Sequence, residues 1–475
     1  MALSFVQEPI GDSTKSPVIT NWNPIVPYVL YQDSSIAAFF YYKLVLEVRL
    51  TDSSGEVIAK FKQRRNGYST DITNNKARAV FDIRDIANSQ LEDTIVDLNA
   101  TTKTIHKLGV NVVAKPFSIN NSQIAQIYVK GYQNYSTTIN GSPIDVTAGS
   151  QEDTKLYMAA SLQLQTARGT ADFQDTQFGV FSITGTSSRL LSDLQADSIG
   201  EYGVADVRRT YVQSTDYHTI AFLNGIDDFN SSGFRVYVQY YDSSNGTVGS
   251  LHSFTNNTTN GGAEPSASGE VNNPSEMLIY FGAGPGNLEA QTLTSTAKPS
   301  NNSGWAYYKV YLALADGTQK SLPYYFVNQD GSCKGFKVRR LAWRNSLGCY
   351  DYFNFKKKST QTLDVKRNNY ETIVGEFSSD LYSYTNSDRG KNTRNTTATL
   401  RETLNTDWIS EADAVLLENL IMSTNVTKVQ NETDDDYTVP VMITDSSFVK
   451  KTVANDKLIQ YTINIEYANP INTNS

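Results

Sequence analysis

The sequence predicts a mostly β protein: β-sandwich-like modules followed by a C-terminal β-rich domain with one amphipathic helix. Three observations predict it. Apolar residues recur at every second position, as in Tyr42, Leu44, Leu46, Val48 and Leu50, the period of a half-buried strand. Clusters such as Asp52-Ser53-Ser54-Gly55 punctuate these runs with turn chemistry. The chain also holds 29 Tyr and 20 Phe among only 39% hydrophobic residues, a composition that favours strands over helices.

The 475 residues suffice for about three domains of ~150 residues. Residues 1–20 read as an extended N-terminal arm. Pro27 demotes the run Ile25–Tyr31 to an edge strand at best. Tyr42–Thr51, the turn Asp52–Gly55 and Val57–Lys62 make a β-hairpin. Ala79–Ile83 follows as a strand and Arg84–Leu91 as a short helix. Strands at Gly109–Ala114, Gln126–Gly131 and Leu156–Gln165 complete a sandwich-like module, 21–165, with a polar insertion near Asn134–Gln151.

Residues 166–332 form a second β-rich module with long polar loops. Arg235–Tyr241 running into Asp242-Ser243-Ser244-Asn245-Gly246 echoes Leu46–Thr51 running into Asp52–Gly55. Tyr307–Leu314 echoes Tyr41–Leu46. Such echoes mark either a duplicated sandwich or the common grammar of strand, turn and strand. Ser253–Ser275 is a low-complexity loop.

The segment 333–475 opens on a hairpin, GFKVRRLAWRNSLGCYDYFNF, from Gly335 to Phe355. A four-residue loop, Asn345–Gly348, sets Arg344 opposite Cys349. Leu341, Trp343, Tyr350 and Tyr352 then share one side, and Val338, Arg340, Phe353 and Phe355 the other, with Asp351 in reach of Arg340 or Arg344. With large apolar groups on both faces, one face must bury against something beyond the hairpin: the rest of its own domain, or another subunit. Trp343, Tyr350, Tyr352, Phe353 and Phe355 are therefore the candidate packing and assembly residues. Strands at Leu363–Val365, Ile373–Glu376 and Thr396–Leu404 lead to the helix. It has Ser410 as N-cap, Glu411 and Asp413 in its first turn, an apolar face of Ala412, Leu416, Leu417, Leu420 and Ile421, and Trp408 and Ile409 as a staple. Val426–Val429, Val439–Ile443 and Lys457–Tyr467 close the chain as strands.

Chemistry-bearing motifs are few. Gly282-Ala283-Gly284-Pro285-Gly286 is a glycine-rich turn with no Lys-Ser/Thr after it, unlike a phosphate-binding loop. Asp434-Asp435-Asp436 lacks the spacing of a calcium loop and reads as a solvated hairpin tip, as do Asp227-Asp228 and Asp216-Tyr217-His218. Cys333 and Cys349 with three histidines do not make a zinc set. No cofactor or metal site and no enzymatic activity are expected, although paired carboxylates of a β-rich glycan hydrolase would leave no sequence signature. The net charge of −8 opposes general nucleic-acid binding, and Lys356-Lys357-Lys358 is a solvated strand end. No signal-peptide pattern or membrane span is evident, so synthesis in a cytoplasm is expected. Tyrosine clusters at Tyr41-Tyr42, Tyr237/Tyr240/Tyr241, Tyr307-Tyr308/Tyr311, Tyr324-Tyr325 and Tyr350/Tyr352 fit interfaces, glycan platforms or cores.

The order of elements after Arg339 resembles bacteriophage tail and baseplate proteins. It runs from a strand ending in Trp343-Arg344-Asn345, through a glycine turn and the aromatic strand Tyr350-Asp351-Tyr352-Phe353, to the Thr406–Glu411 helix start. The strand Val439–Asp445 and the terminal strand Leu458–Asn469 follow. The N-terminal Asn23-Pro24-Ile25-Val26 followed by Tyr42–Val48 is similar to the same class. The resemblance covers about half the chain and implies a structural virion protein of the tail, made in the host cytoplasm. It would assemble with its own copies and other tail proteins into an oligomeric ring that supports fibres or receptor-binding proteins. The alternative is a receptor- or glycan-binding adhesin module.

Overall fold

The computed structural model describes residues 3–9, 18–19, 27–64, 74–91, 105–109, 117–119, 123–158, 190–192, 209–223, 234–255, 278–291, 295–314, 316–330, 335–429, 438–445, 458–469 and 471–474. The chain is mostly β and divides into two compact units. One is Met1–Gln329 with Arg344–Asp351, the other Asp330–Trp343 with Tyr352–Ser475.

The first part of the first unit contains β1 (Leu3–Gln7), β2 (Val18–Ile19), β3 (Tyr28–Gln32), β4 (Phe40–Leu50), β5 (Val57–Arg64), β6 (Ala77–Phe81), α1 (Arg84–Ser89), β7 (Phe117–Ile119), β8 (Ile124–Ser136) and β9 (Ile144–Met158). A five-stranded sheet, β2-β9-β8-β4-β5, faces the sheet β1-β3-β6. Leu44, Leu46 and Val48 of the first pack with Tyr28, Leu30, Ala79 and Phe81 of the second in one buried core. The sheets approach closely at Gly131, where a Cβ would lie 2.7 Å from the Leu30 side chain.

Three expectations change in this module. Leu3–Gln7, expected within an extended arm, is a strand paired with β3. Pro27 lies just outside β3, so β3 is central to its sheet, between β1 and β6. The polar insertion is strand: β8 and β9 run on as a hairpin beyond the core, with Asn134 opposite Asp145. Asp145 is held there by Asn134 Nδ2 at 2.7 Å and Lys60 Nζ at 2.7 Å, so polar side chains make the cross-strand pairs that apolar ones make elsewhere.

The rest of this unit contains β10 (Arg209–Val212), β11 (Thr219–Leu223), β12 (Phe234–Tyr241), β13 (Thr247–Thr255), β14 (Leu278–Gly282), α2 (Pro285–Ala290), β15 (Tyr307–Leu314) and β16 (Tyr324–Asn328). Its five-stranded sheet runs β10-β16-β15-β12-β13, and the sheet beside it β11-β14-β7. The two modules share one connectivity. In each large sheet the first strand lies parallel to the last (β2 with β9, β10 with β16). The second and third strands form the outer hairpin, and the fourth joins that hairpin to the last. In each, the intervening strands pair antiparallel (β3 with β6, β11 with β14), and a six-residue helix follows the second of them. This is what a duplicated sandwich produces. The echo between Asp52–Gly55 and Asp242–Gly246 falls at equivalent turns, each with the aspartate Oδ1 accepting from a serine N–H two residues on, at 2.7 and 2.8 Å. The Tyr307–Leu314 echo does not: β15 corresponds in position to β8, not to β4.

The second unit is built on one large sheet. Its strands are β17 (Arg339–Arg344), β18 (Tyr350–Phe355), β19 (Thr360–Glu371), β20 (Glu376–Ser378), β21 (Leu381–Ser383), β22 (Lys391–Asn405), β23 (Ile409–Ser410), β24 (Val426–Val429), β25 (Thr438–Ile443), β26 (Leu458–Ile459), β27 (Thr462–Tyr467) and β28 (Ile471–Asn474), with α3 at Glu411–Met422. The order is β18-β17-β24-β25-β27-β22-β19, with β28 also on β22. Ala414, Leu416, Leu417 and Leu420 of α3 are buried. Ile409 is buried but Trp408 is exposed, so the expected staple has one arm. The side chains of Ser410, Glu411 and Asp413 lie outside the described residues.

Candidate functional site

The hairpin β17–β18 forms, in a register one residue from the expected one. The Asn345 N–H donates to the Cys349 carbonyl at 2.7 Å, leaving Ser346, Leu347 and Gly348 as a three-residue loop. Gly348 closes it at φ +81°, the left-handed position such loops need. Arg344 therefore stands opposite Tyr350. Because side chains alternate, the slip exchanges faces: Tyr350 and Tyr352 join Arg340 and Arg344, and Trp343 joins Phe353 and Phe355. The Arg340 guanidinium fits this register, donating to Asn354 Oδ1 at 2.8 Å and lying 5.0 Å from the Tyr352 ring centroid.

The tip is a buried polar plug. Asn345 Oδ1 accepts from the N–H groups of Leu347 and Cys349, both at 3.0 Å. Its amide donates to Leu191 O at 3.1 Å and to Asp351 Oδ2 at 3.0 Å. Ser192 Oγ donates to the other Asp351 oxygen, and Gln123 Nε2 to Gly348 O at 2.7 Å. Asp351 is fully buried among these donors, which supply the hydrogen bonds a desolvated carboxylate requires. Burial pushes the Cys349 thiol up to about 12, which keeps it protonated and unreactive. Cys333 lies outside the described residues. Trp343, Tyr350, Tyr352 and Phe355 are buried within the chain itself and Phe353 is half-buried, so most of the hairpin's apolar surface is already covered without a second subunit.

The surface that remains open is elsewhere. β19 and β22 form a long hairpin in which all twelve residues of β19 are exposed. Its end carries the small hairpin β20–β21, with Phe377 opposite Tyr382 and their rings 5.2 Å apart. The tip is built, not loose. Thr372 N–H donates to Gly390 O at 2.8 Å, and Gly375, at φ +96°, fits where a Cβ would meet Ser383 O at 2.4 Å. Yet Ile373 is 86% exposed, Phe377 77%, Leu381 77% and Tyr384 71%. Pattern reading finds only fragments of this arm, because Thr, Asn, Lys and Arg occupy positions where a half-buried strand would alternate with apolar residues.

A second built feature is the buried ionic cluster around Glu402 on β22. Arg339 Nε lies 2.6 Å from Oε1, and Lys428 Nζ and Tyr467 OH each 2.9 Å from Oε2. Gln361 Nε2 donates to the same oxygen at 3.3 Å. Burial opposes ionisation, but Lys428 and Arg339 outweigh it and hold the carboxyl at about 2. The same desolvation lowers the Lys428 pKa. The cluster ties together five strands, and its acceptor lone pairs are occupied by its own donors.

The glycine-rich turn is packing. The N–H groups of Ala283 and Gly284 donate to His218 O and that of Gly286 to Asp216 O, so none is aimed at an anion. A Cβ on Gly284 would lie 2.4 Å from His218 N. Asp216 and His218, expected at a solvated tip, are instead buried against this turn, where their backbone carbonyls accept from it. Asp227-Asp228 and Asp434–Asp436 lie outside the described residues. Lys357 pairs with Asp407 at 2.9 Å. Among the described residues no group of three or more His, Cys, Asp or Glu is placed to hold a metal ion, and no helix is long and apolar enough to cross a membrane.

The tyrosines divide by face. Tyr240, Tyr308 and Tyr324 are core. On the opposite face of the same sheet Tyr241 stacks on Tyr307 at 4.9 Å and Tyr237 on Tyr311 at 5.6 Å, with Lys309 Nζ 4.7 Å from the Tyr241 ring centroid. No family model matches the chain, and no curated protein matches it.

Proposed function

We propose that the chain is a structural subunit of a bacteriophage virion, in the tail or baseplate. It assembles with its own copies into an oligomeric ring and supports fibres or receptor-binding proteins. The observation that carries this reading is the β19–β22 arm: a folded element whose apolar tip faces solvent in the isolated chain. An exposed patch of that kind marks a surface meant for another protein. The likeness of the C-terminal element order to tail proteins supplies the kind of assembly. The subunit is made in the host cytoplasm, acts through surfaces rather than catalysis and, at net charge −8, has no general affinity for nucleic acid. Mass spectrometry of purified particles from the phage that encodes it should find its peptides in stoichiometric amount, and antibody against the arm should label one end of the tail. Absence from purified particles would end this reading.

The half-buried rings of Tyr241, Tyr307 and Tyr311 favour a second reading, a receptor- or glycan-binding module, since flat aromatic faces suit sugar rings. A glycan array probed with the full chain tests it. Binding lost in Tyr241→Ala and Tyr307→Ala would support it, and no binding would set it aside.

A further inference from the structure

We propose that two copies of this chain pair antiparallel along the free edges of β19, about a two-fold axis near Val365. The inference rests on the self-association part of the reading above, not on the assembly's being a virion. Of the two edges of the large sheet, β18 is largely buried while β19 is wholly exposed. Among the described residues only β22 pairs with β19, and a twelve-residue strand with a second edge left open is a template for a further strand. Charged side chains normally protect such an edge, and β19 carries Asp364, Lys366 and Arg367. Their order makes the edge self-complementary. With Val365 opposite its own copy, Asp364 of each strand faces Lys366 of the other, so an isologous contact sets opposite signs across the seam.

The flanks agree. In the same register the chain before β19, with Lys356, Lys357 and Lys358, lies along the second copy's arm tip. From Glu371 to Asp388 that tip has four acids, Glu371, Glu376, Asp380 and Asp388, and no base. Each lysine run meets an acidic tip, at both ends of the seam. The tip also holds Ile373, Phe377, Leu381 and Tyr384 largely exposed, apolar surface that a second copy lying along it would cover.

Light scattering and sedimentation of the full chain test the pairing with charge swaps at exposed positions. Lys358→Glu should weaken the dimer tenfold or more, and so should Glu371→Lys with Glu376→Lys. Mixing the two variants should restore pairing to near the wild-type level, because each swapped end then meets its complement. A wild-type chain that stays monomeric overturns both this pairing and the self-assembly reading. A wild-type oligomer indifferent to both swaps, or swaps that weaken it without rescue on mixing, overturns the β19 pairing alone.

Discussion

Glu402 shows how a single residue is committed to structure. None of its side chain is exposed, and Arg339, Lys428, Tyr467 and Gln361 all donate to it. Glu402→Gln would leave the buried Lys428 and the half-buried Arg339 facing an amide, and should destabilise the second unit by about 3–5 kcal/mol in chemical denaturation, the cost of breaking a buried pair from one side. The pH dependence has a definite sign. The folded carboxyl at about 2 lies below its ordinary 4.5, so its contribution is complete above about 4.5 and is lost as pH falls towards 2. Denaturation midpoints of the wild type should drop through that window, and those of Glu402→Gln should drop less. Gly284 is the opposite case, constrained by shape rather than charge. A methyl there meets backbone at 2.4 and 2.7 Å, so Gly284→Ala should cost about 1–3 kcal/mol through overpacking, measured by the same denaturation.

At the scale of elements, legibility follows burial by the chain itself. β4 and β5 are evident in sequence because one face of their sheet lies on a core, and core burial is what imposes the apolar alternation. The outer half of β8–β9 and the whole of β19 lack such a core, so their strands are written in Asn, Thr, Asp and Lys and read as insertion or fragment. The β17–β18 hairpin was legible as a hairpin, but its register depended on one backbone angle. Gly348 at φ +81° turns four loop residues into three and exchanges the faces of Tyr350 and Phe353. Gly348→Ala should cost about 1 kcal/mol or more from strain in the left-handed region, seen as a lowered melting temperature. The arm tip should behave differently. Phe377→Ser and Leu381→Ser alter exposed side chains and should change folding stability by less than about 0.5 kcal/mol, while lowering association measured by sedimentation.

Over the whole chain, the two sandwich modules repeat one connectivity, and the sequence carried that repeat in a single equivalent turn, Asp52–Gly55 and Asp242–Gly246. The rest was hidden because strand order is set by pairings distant in sequence, such as β2 with β9 and β10 with β16. Tyr28, Tyr132, Tyr157, Tyr240, Tyr308 and Tyr324 are buried in the modules, and Trp343, Tyr350, Tyr352 and Phe355 in the C-terminal hairpin. Among the described residues the four most exposed large apolar side chains, Ile373, Phe377, Leu381 and Tyr384, all lie on the arm, and the proposed assembly rests on that projection. The most direct test is the mass of the full chain in solution by light scattering across a range of concentrations. Multiples of 52.7 kDa that grow with concentration and fall back when Phe377 and Leu381 are replaced by serine are the predicted result. A constant mass of one chain at every concentration would contradict the account.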